Sequence, residues 1–255
     1  MRELNGKNFD GNIMEPNAES ALKHPISMIV ILAAMAGAMD AVDFQLYGVF
    51  TANQAGNLVL FWVRLTSSAG EAALSLFSLA GCAIGVAAVI ILRYTFPFFI
   101  TPRGSRALLF LAAVLLLVTA VIGAQVSQPL QEEVNSNQLP IGSADWWAGA
   151  LSTSTSAMAL AILGTIFIVM GTARVHIISG TSPFVDSVRF SMARALTGDA
   201  SWNAKLKTVI FFPIAWFLGA AIASLSPVPR AAIATACALI VCLTALLSRR
   251  VGADS

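Results

Sequence analysis

Of the 13 acidic residues in this sequence, only Asp40 and Asp43 lie well inside a long apolar run. They are three residues apart, so both fall on one face of a helix. Counted from the start of that run, Asp40 lies roughly 20 Å along the helix axis. A charged carboxylate at the centre of a bilayer costs about 2.5–3.5 kcal/mol on insertion scales. Something must offset two of them. They could bind a cation, shuttle a proton, cap the backbone of a broken helix or pair with arginine. The structural alternative is a carboxylate accepting hydrogen bonds from backbone N–H groups of the Thr51–Asn57 turn.

Amides and small residues follow closely. Asn53, Gln54 and Asn57 surround Gly56 in a short polar stretch. Such amides can bind a substrate or satisfy exposed backbone groups. A second stretch, Ser179-Gly180-Thr181, opens in the same way. If a short helix starts at each, its N-terminus carries partial positive charge and free N–H groups, and an anionic group could dock there. The candidate substrate- or ion-binding set is therefore Asp40, Asp43, Asn53, Gln54, Gly56, Asn57, Gly180 and Thr181.

Catalytic chemistry finds little support. Two aspartates three residues apart on one helix do not present opposed carboxylates. Glu132-Glu133 has no histidine or cysteine partner nearby, and the two histidines, His24 and His176, cannot build a metal site. Cys82, Cys237 and Cys242 all lie in apolar runs and read as small packing residues. No glycine-rich lysine loop for phosphate is present. The expectation is a protein that is not an enzyme, with no cofactor and no metal.

The elements that must hold these residues follow from composition. Hydrophobic residues make up 57% of the 255 positions and charged residues 11%, with a mean hydropathy of +0.80. A soluble globule carries about 25% charged residues, so the solvent here is largely lipid. A net charge of +2 gives no reason to expect a nucleic-acid partner. A hydrocarbon core of about 30 Å needs about 20 apolar helical residues, and six segments qualify, near 26–50, 72–92, 107–126, 149–173, 208–226 and 231–248. Pro25 suits the first helical position of the first, and Pro213 should kink the fifth. Residues 1–24 are polar, show no signal peptide and read as a flexible cytoplasmic tail.

Lysine and arginine set the orientation. With an inside N-terminus, Arg64 and Arg230 alone fall outside, and the other thirteen of the 15 basic residues fall inside. Both termini are then cytoplasmic. The outside loop over 127–147 is acidic and ends in Trp146-Trp147, as interfacial anchors would.

Two stretches are too short to cross. Residues 50–64 suggest a re-entrant or half-helix, which is tolerated at membrane depth only where protein or water covers it. Residues 178–196 suggest an amphipathic helix on the cytoplasmic side. Ser182-Pro183 opens it, Phe184, Val185, Val188, Met192, Ala195 and Leu196 form one face, and Asp186, Ser187, Ser191 and Arg194 the other. Arg174 reads as a cytoplasmic anchor or a partner of Asp186 or Asp199, and Thr153, Ser154, Thr155 and Ser156 as helix-packing surface. Each short element sits between a span ending in small residues and one with a Gly-small core, Ile84-Gly85-Val86-Ala87 and Leu218-Gly219-Ala220-Ala221. That suggests two three-helix halves, 25–126 and 148–250, followed by a tail over 251–255. An odd span count inverts one half relative to the other, a recurrent transporter plan. The plainer reading is that Gly-small tracts are common wherever membrane helices pack. The expected fold is an all-α membrane protein with six transmembrane helices.

Ala36-Gly37 leading to Asp40-Ala41, then Gly48, Phe50, Asn53, Gly56 and Asn57-Leu58, resembles the signature of the YoaK-like family, bacterial multi-pass membrane proteins of unknown function. The resemblance covers roughly 28–248. In the second half Met170-Gly171 is followed by Thr172-Ala173-Arg174, where such proteins usually carry a Gln-Asn-Ala tract, and only Ser179-Gly180-Thr181 is similar to their Thr-Gly motif. The resemblance implies the bacterial inner membrane and a transport role with no established substrate. Two functions follow. One is a small-molecule or ion transporter with its site between the halves. The alternative is a non-transporting scaffold or lipid-interacting protein. Expected partners are the lipid bilayer, an unidentified small molecule or ion, and a possible second copy of the chain.

Overall fold

A computed structural model describes residues 22–23, 26–125, 141–169, 181–198, 200, 210–225, 229–247 and 249–250. Eight α-helices are described: α1 (Ile26–Tyr47), α2 (Gln54–Arg64), α3 (Ala69–Thr95), α4 (Pro102–Gln125), α5 (Ala144–Val169), α6 (Thr181–Thr197), α7 (Phe211–Leu225) and α8 (Arg230–Leu247). A 3-10 turn, Pro97–Ile100, joins α3 to α4. The extended pairing among described residues is a two-residue antiparallel ladder of Leu22–Lys23 with Arg249–Arg250, which brings the start of α1 beside the end of α8.

Local chemistry explains the boundaries. α1 stops where Gly48 adopts a left-handed φ of 68° and donates its N–H to the Phe44 carbonyl. Gly198 ends α6 in the same way, bonding back to Arg194. Phe96 is extended, as the residue before a proline prefers to be. α4 starts on Pro102, where the missing N–H is harmless, and Thr101 Oγ1 accepts the Gly104 N–H as a cap. Ser143 caps α5 through the Trp146 N–H.

Five described helices, α1, α3, α4, α5 and α8, are long and apolar enough to cross a membrane. They match five of the six expected spans. The other, α7, is apolar but its described length is 15 residues, about 22 Å at 1.5 Å per residue; residues 201–209 and 226–228 around it lie outside the described ones. Pro213, expected to kink the fifth span, falls near the start of this described helix. It is the third helical residue, in the first turn, where no N–H from that position is needed for an i to i−4 bond.

Glycine contacts fix how the long helices run. Gly81 and Gly85 of α3 lie under the carbonyls of Ser154 and Met158 of α5, so four residues along one helix match four along the other, in the same direction. Trp146 Nε1 donates to the Gly70 carbonyl in the same register. Gly37 of α1 lies against the Trp216 carbonyl and Gly219 of α7 against the Ala34 carbonyl. Each glycine meets the carbonyl three residues before the facing glycine, the reciprocal pattern of a parallel pair. Close approach through small residues is how helices associate where lipid removes the hydrophobic drive between them. α8 starts beside Asp43 of α1 and Gly123 of α4 and passes Met35, so it runs antiparallel to both. Directions therefore alternate through α1, α3, α4, α5, α7 and α8.

The core lies among these helices, with Met39, Leu109, Leu116, Ile162, Leu163 and Ile166 all but fully buried. Large aliphatic and aromatic side chains remain exposed outside it, among them Ile84, Ile91, Val121, Phe217 and Leu246. In water so extensive an apolar surface would drive association; in lipid it is the expected coat. Trp146 differs from an interfacial anchor. It is 3% exposed, packs edge-on to Phe77 and ties α5 to α3, while Trp147 stays half exposed. The tract from Thr153 to Ser156 packs as expected: Thr153 and Ser156 are buried and Thr155 lies 2.8 Å from Thr119 of α4.

A Cβ at Gly37 would overlap the Trp216 backbone, which no rotamer change can relieve. Gly37→Leu should therefore lower stability by at least ~1–3 kcal/mol, the usual range for overpacking. Val121→Ala, on the exposed coat, should leave the melting curve of the detergent-solubilised protein unchanged. Equal melting of the two variants would contradict the parallel α1–α7 contact.

Candidate functional site

The chain doubles back after α1. Residues 48–53 return along the helix until the N–H groups of Thr51, Ala52 and Asn53 converge on the carboxylate of Asp40, at 2.7 Å from Thr51 and 3.0 Å from Asn53. These donors stand immediately ahead of α2, which starts level with Asp40 and ends with Arg64 beside Gly48, the residue that closes α1. Asp40 is 1% exposed. The positive end of the short helix is thus met by the protein's own carboxylate, the structural alternative weighed from the sequence.

The amides hold the same loop. Asn57 uses both ends of its side chain on one residue: its Oδ1 accepts the Phe50 N–H at 2.8 Å and its Nδ2 donates to the Phe50 carbonyl. Nδ2 also donates to Gln54 Oε1 and Ser78 Oγ. Gln54 Nε2 donates to the Thr51 carbonyl and to Ser78 of α3. Gly56 lies under the Phe50 ring, which stacks on Phe44. Gln54, Gly56 and Asn57 are therefore engaged in closing the loop and fastening α2 to α3.

Asp43, fully buried, forms an ion pair with Arg230 at the start of α8. Its second oxygen accepts from Thr51 Oγ1 at 2.8 Å and lies 3.5 Å from Ser156 Oγ. Arg230 Nη1 donates to Ser152 Oγ of α5 and lies 3.5 Å from the Thr119 carbonyl of α4, and the guanidinium stands 5.0 Å from the Tyr47 ring centroid. One buried cation thus joins α1, α4, α5 and α8. Nearby, Arg64 pairs with Glu71 of α3 at 3.1 Å and donates to the Gly48 carbonyl. Arg230 and Arg64 are the two basic residues that sequence reasoning left on the wrong side of the charge rule. Each is there because a carboxylate is.

A cavity of about 750 Å³ opens elsewhere, between α6 and α7, with Asn53 at one end. Ser187, Ser191 and Met192 line it from α6, and Pro213 and Trp216 from α7. The indole N–H of Trp216 is buried and has no acceptor among the described residues. On α6 the polar Ser187 is buried while Ser191 and Arg194 of the same stripe are exposed, and Val185, Val188, Met192 and Leu196 of the expected apolar face are exposed as well, Leu196 at 79%. Among the described residues of the predicted set, Asn53 reaches the cavity wall. Asp40 is one hydrogen bond behind it, and Asp43, Gln54, Gly56 and Asn57 serve structure. Thr181 is the first residue of α6; Gly180, Arg174 and Asp199 lie outside the described residues. Sequence reasoning missed Ser187, Ser191 and Trp216 as cavity-lining residues. The available signal was the polar stripe of α6, read as one face of an amphipathic helix on the cytoplasmic side.

No group of three or more histidine, cysteine or acidic residues able to hold a metal occurs among the described residues.

An all-helical bundle coated in apolar side chains, with its polar groups turned inward, defines a multi-helix membrane protein. The chain belongs to the family described as "Protein of unknown function (DUF1275)", which matches residues 28–246 and includes the YoaK-like proteins. No curated protein and no solved structure matches it.

Asp43→Asn leaves the Arg230 charge buried without its counter-ion and should cost about 3–5 kcal/mol. The double variant Asp43→Leu with Arg230→Met removes both charges and should regain most of that loss in thermal melts. Asp40→Asn forfeits charge-assisted bonds to three N–H groups and should cost ~2 kcal/mol or more. Wild-type melting of Asp40→Asn would show that the loop does not depend on this carboxylate.

Proposed function

We propose that this protein is a small-molecule transporter of the bacterial inner membrane, built from two inverted three-helix halves with six spans and both termini cytoplasmic. The halves are α1 to α4 and α5 to α8. The observation that carries the reading is the cavity between α6 and α7, bordered also by Asn53 of the loop that leads into α2. Irregular backbone next to a cavity, at the junction of inverted repeats, is where transporters bind their cargo.

Packing supports the inversion. Exchanging the halves turns the parallel α1–α7 pair into the parallel α5–α3 pair, and both rest on glycine against carbonyl. The same exchange turns the α2–α3 contact into the α6–α7 contact, and there the two differ. α2 is fastened to α3 by Gln54, Asn57, Ser78 and the Arg64–Glu71 pair. α6 stands off α7 and leaves the cavity. With the basic residues inside, the closed contact faces outward and the open one faces the cytoplasm. The reading needs no catalytic step and no cofactor.

The second reading is a non-transporting scaffold, favoured by the pairing of both buried acids. A labelling experiment separates the two. In a variant with Cys82, Cys237 and Cys242 replaced by alanine, Ser191→Cys should react with a membrane-impermeant maleimide in inverted vesicles and not in right-side-out ones. In proteoliposomes loaded with mixed metabolites, the wild type should release a subset that Met192→Trp retains. No labelling from either side and no release would leave the scaffold.

A further inference from the structure

We infer that the cavity between α6 and α7 takes an uncharged molecule with an apolar body and a hydrogen-bonding end. This deepens the transport reading and rests on it for the claim that the ligand is cargo. The lining favours such a molecule. Its described residues include the polar groups of Asn53, Ser187, Ser191 and Trp216, the rest being apolar, and no charged side chain is among them. A predominantly apolar pocket with a few polar groups that fix orientation is the usual form of a small-molecule site, and this volume lies within the range such sites occupy.

Electrostatics points the same way. An ion held against so apolar a wall needs a counter-charge or a ring of free dipoles. The buried charges of the bundle are already engaged. Asp40 accepts from three backbone N–H groups, so it does not offer an open face to a cation. Those same N–H groups, which would otherwise attract an anion to the start of α2, end on Asp40. Asp43 and Arg230 neutralise each other. What remains at the cavity is the Trp216 indole N–H, which lacks an acceptor among the described residues. A neutral ligand carrying a hydroxyl, carbonyl or ether oxygen can meet that demand, and the exposed apolar residues of α6 and α7 match its body. The geometry therefore separates the residues that make the site possible, the two acids, from those that would touch the cargo.

Three rigid probes of one shape test the claim: 1-adamantanol, adamantane-1-carboxylate and 1-adamantylammonium, titrated against the full chain in lipid nanodiscs and followed by thermal stabilisation, which grows with ligand over Kd. The alcohol should stabilise the wild type at concentrations at least tenfold below either charged probe. Met192→Trp, which fills the cavity, should abolish the shift, and Trp216→Phe should weaken it. A charged probe acting as well as the alcohol, or an unchanged shift in Met192→Trp, overturns the inference. So does a cavity that none of the three probes enters while bromine-labelled lipid quenches Trp216 fluorescence, which makes the occupant an acyl chain. Selective alcohol binding, with the Ser191→Cys variant unlabelled from either side, keeps the ligand class and discards transport. Labelling of that variant from the cytoplasmic side, with preferential binding of a charged probe, does the reverse.

Discussion

Backbone that leaves helical geometry inside a bilayer has no water to bond with, and residues 48–53 do so beside Asp40. Their free N–H groups are the constraint that the first half of this protein is arranged to meet. Asp40 takes three of them, and the Asn57 side chain takes the N–H and carbonyl of Phe50 as a neighbouring strand would. Once the loop is closed, α2 has one place to lie, against Ser78 of α3, with Arg64 returned to Gly48 where the loop began. A carboxylate that looks like a functional charge is thus the means by which a broken helix exists at all.

The second charge pair acts on a larger scale. Arg230 comes from the far end of the sequence and meets Asp43, Ser152 and the Thr119 carbonyl in one buried cluster. Breaking a buried pair is far more destabilising than the pair is stabilising relative to apolar residues, so its role is specificity: it sets the register of α8 against α1, α4 and α5. The glycine contacts do the same for the parallel pairs. Where Gly37, Gly81, Gly85 and Gly219 let backbones touch, a helix cannot slide without a clash. With registers fixed at both places, the freedom left in the described bundle is concentrated at α6, whose contact with α7 is slight.

This division has a functional consequence. The polar groups that stand out in sequence are consumed in holding α2 shut, and the space that could accept a molecule is bordered by residues of ordinary appearance, Ser187, Ser191, Met192 and Trp216. The described bundle is thus tightly joined at the α2–α3 side, through Ser78 and the Arg64–Glu71 pair, and more loosely at the α6–α7 side.

The amino-acid sequence by itself determined the class, the places of five long apolar helices and the two short elements, and the fact that Asp40 and Asp43 needed partners. Hydropathy and the energy of a buried charge are local properties, legible wherever the residues stand. It also marked Arg64 and Arg230 as exceptions without saying why. Only the tertiary structure decided which partner each acid took, that Trp146 is interior, that Pro213 falls in the first turn of a described helix, and that α6 and α7 border a cavity. The reason is distance along the chain. Asp43 and Arg230 are 187 residues apart and Asn57 and Ser78 are 21 apart. Such pairings depend on helix register, which packing of the whole bundle sets and no local pattern encodes.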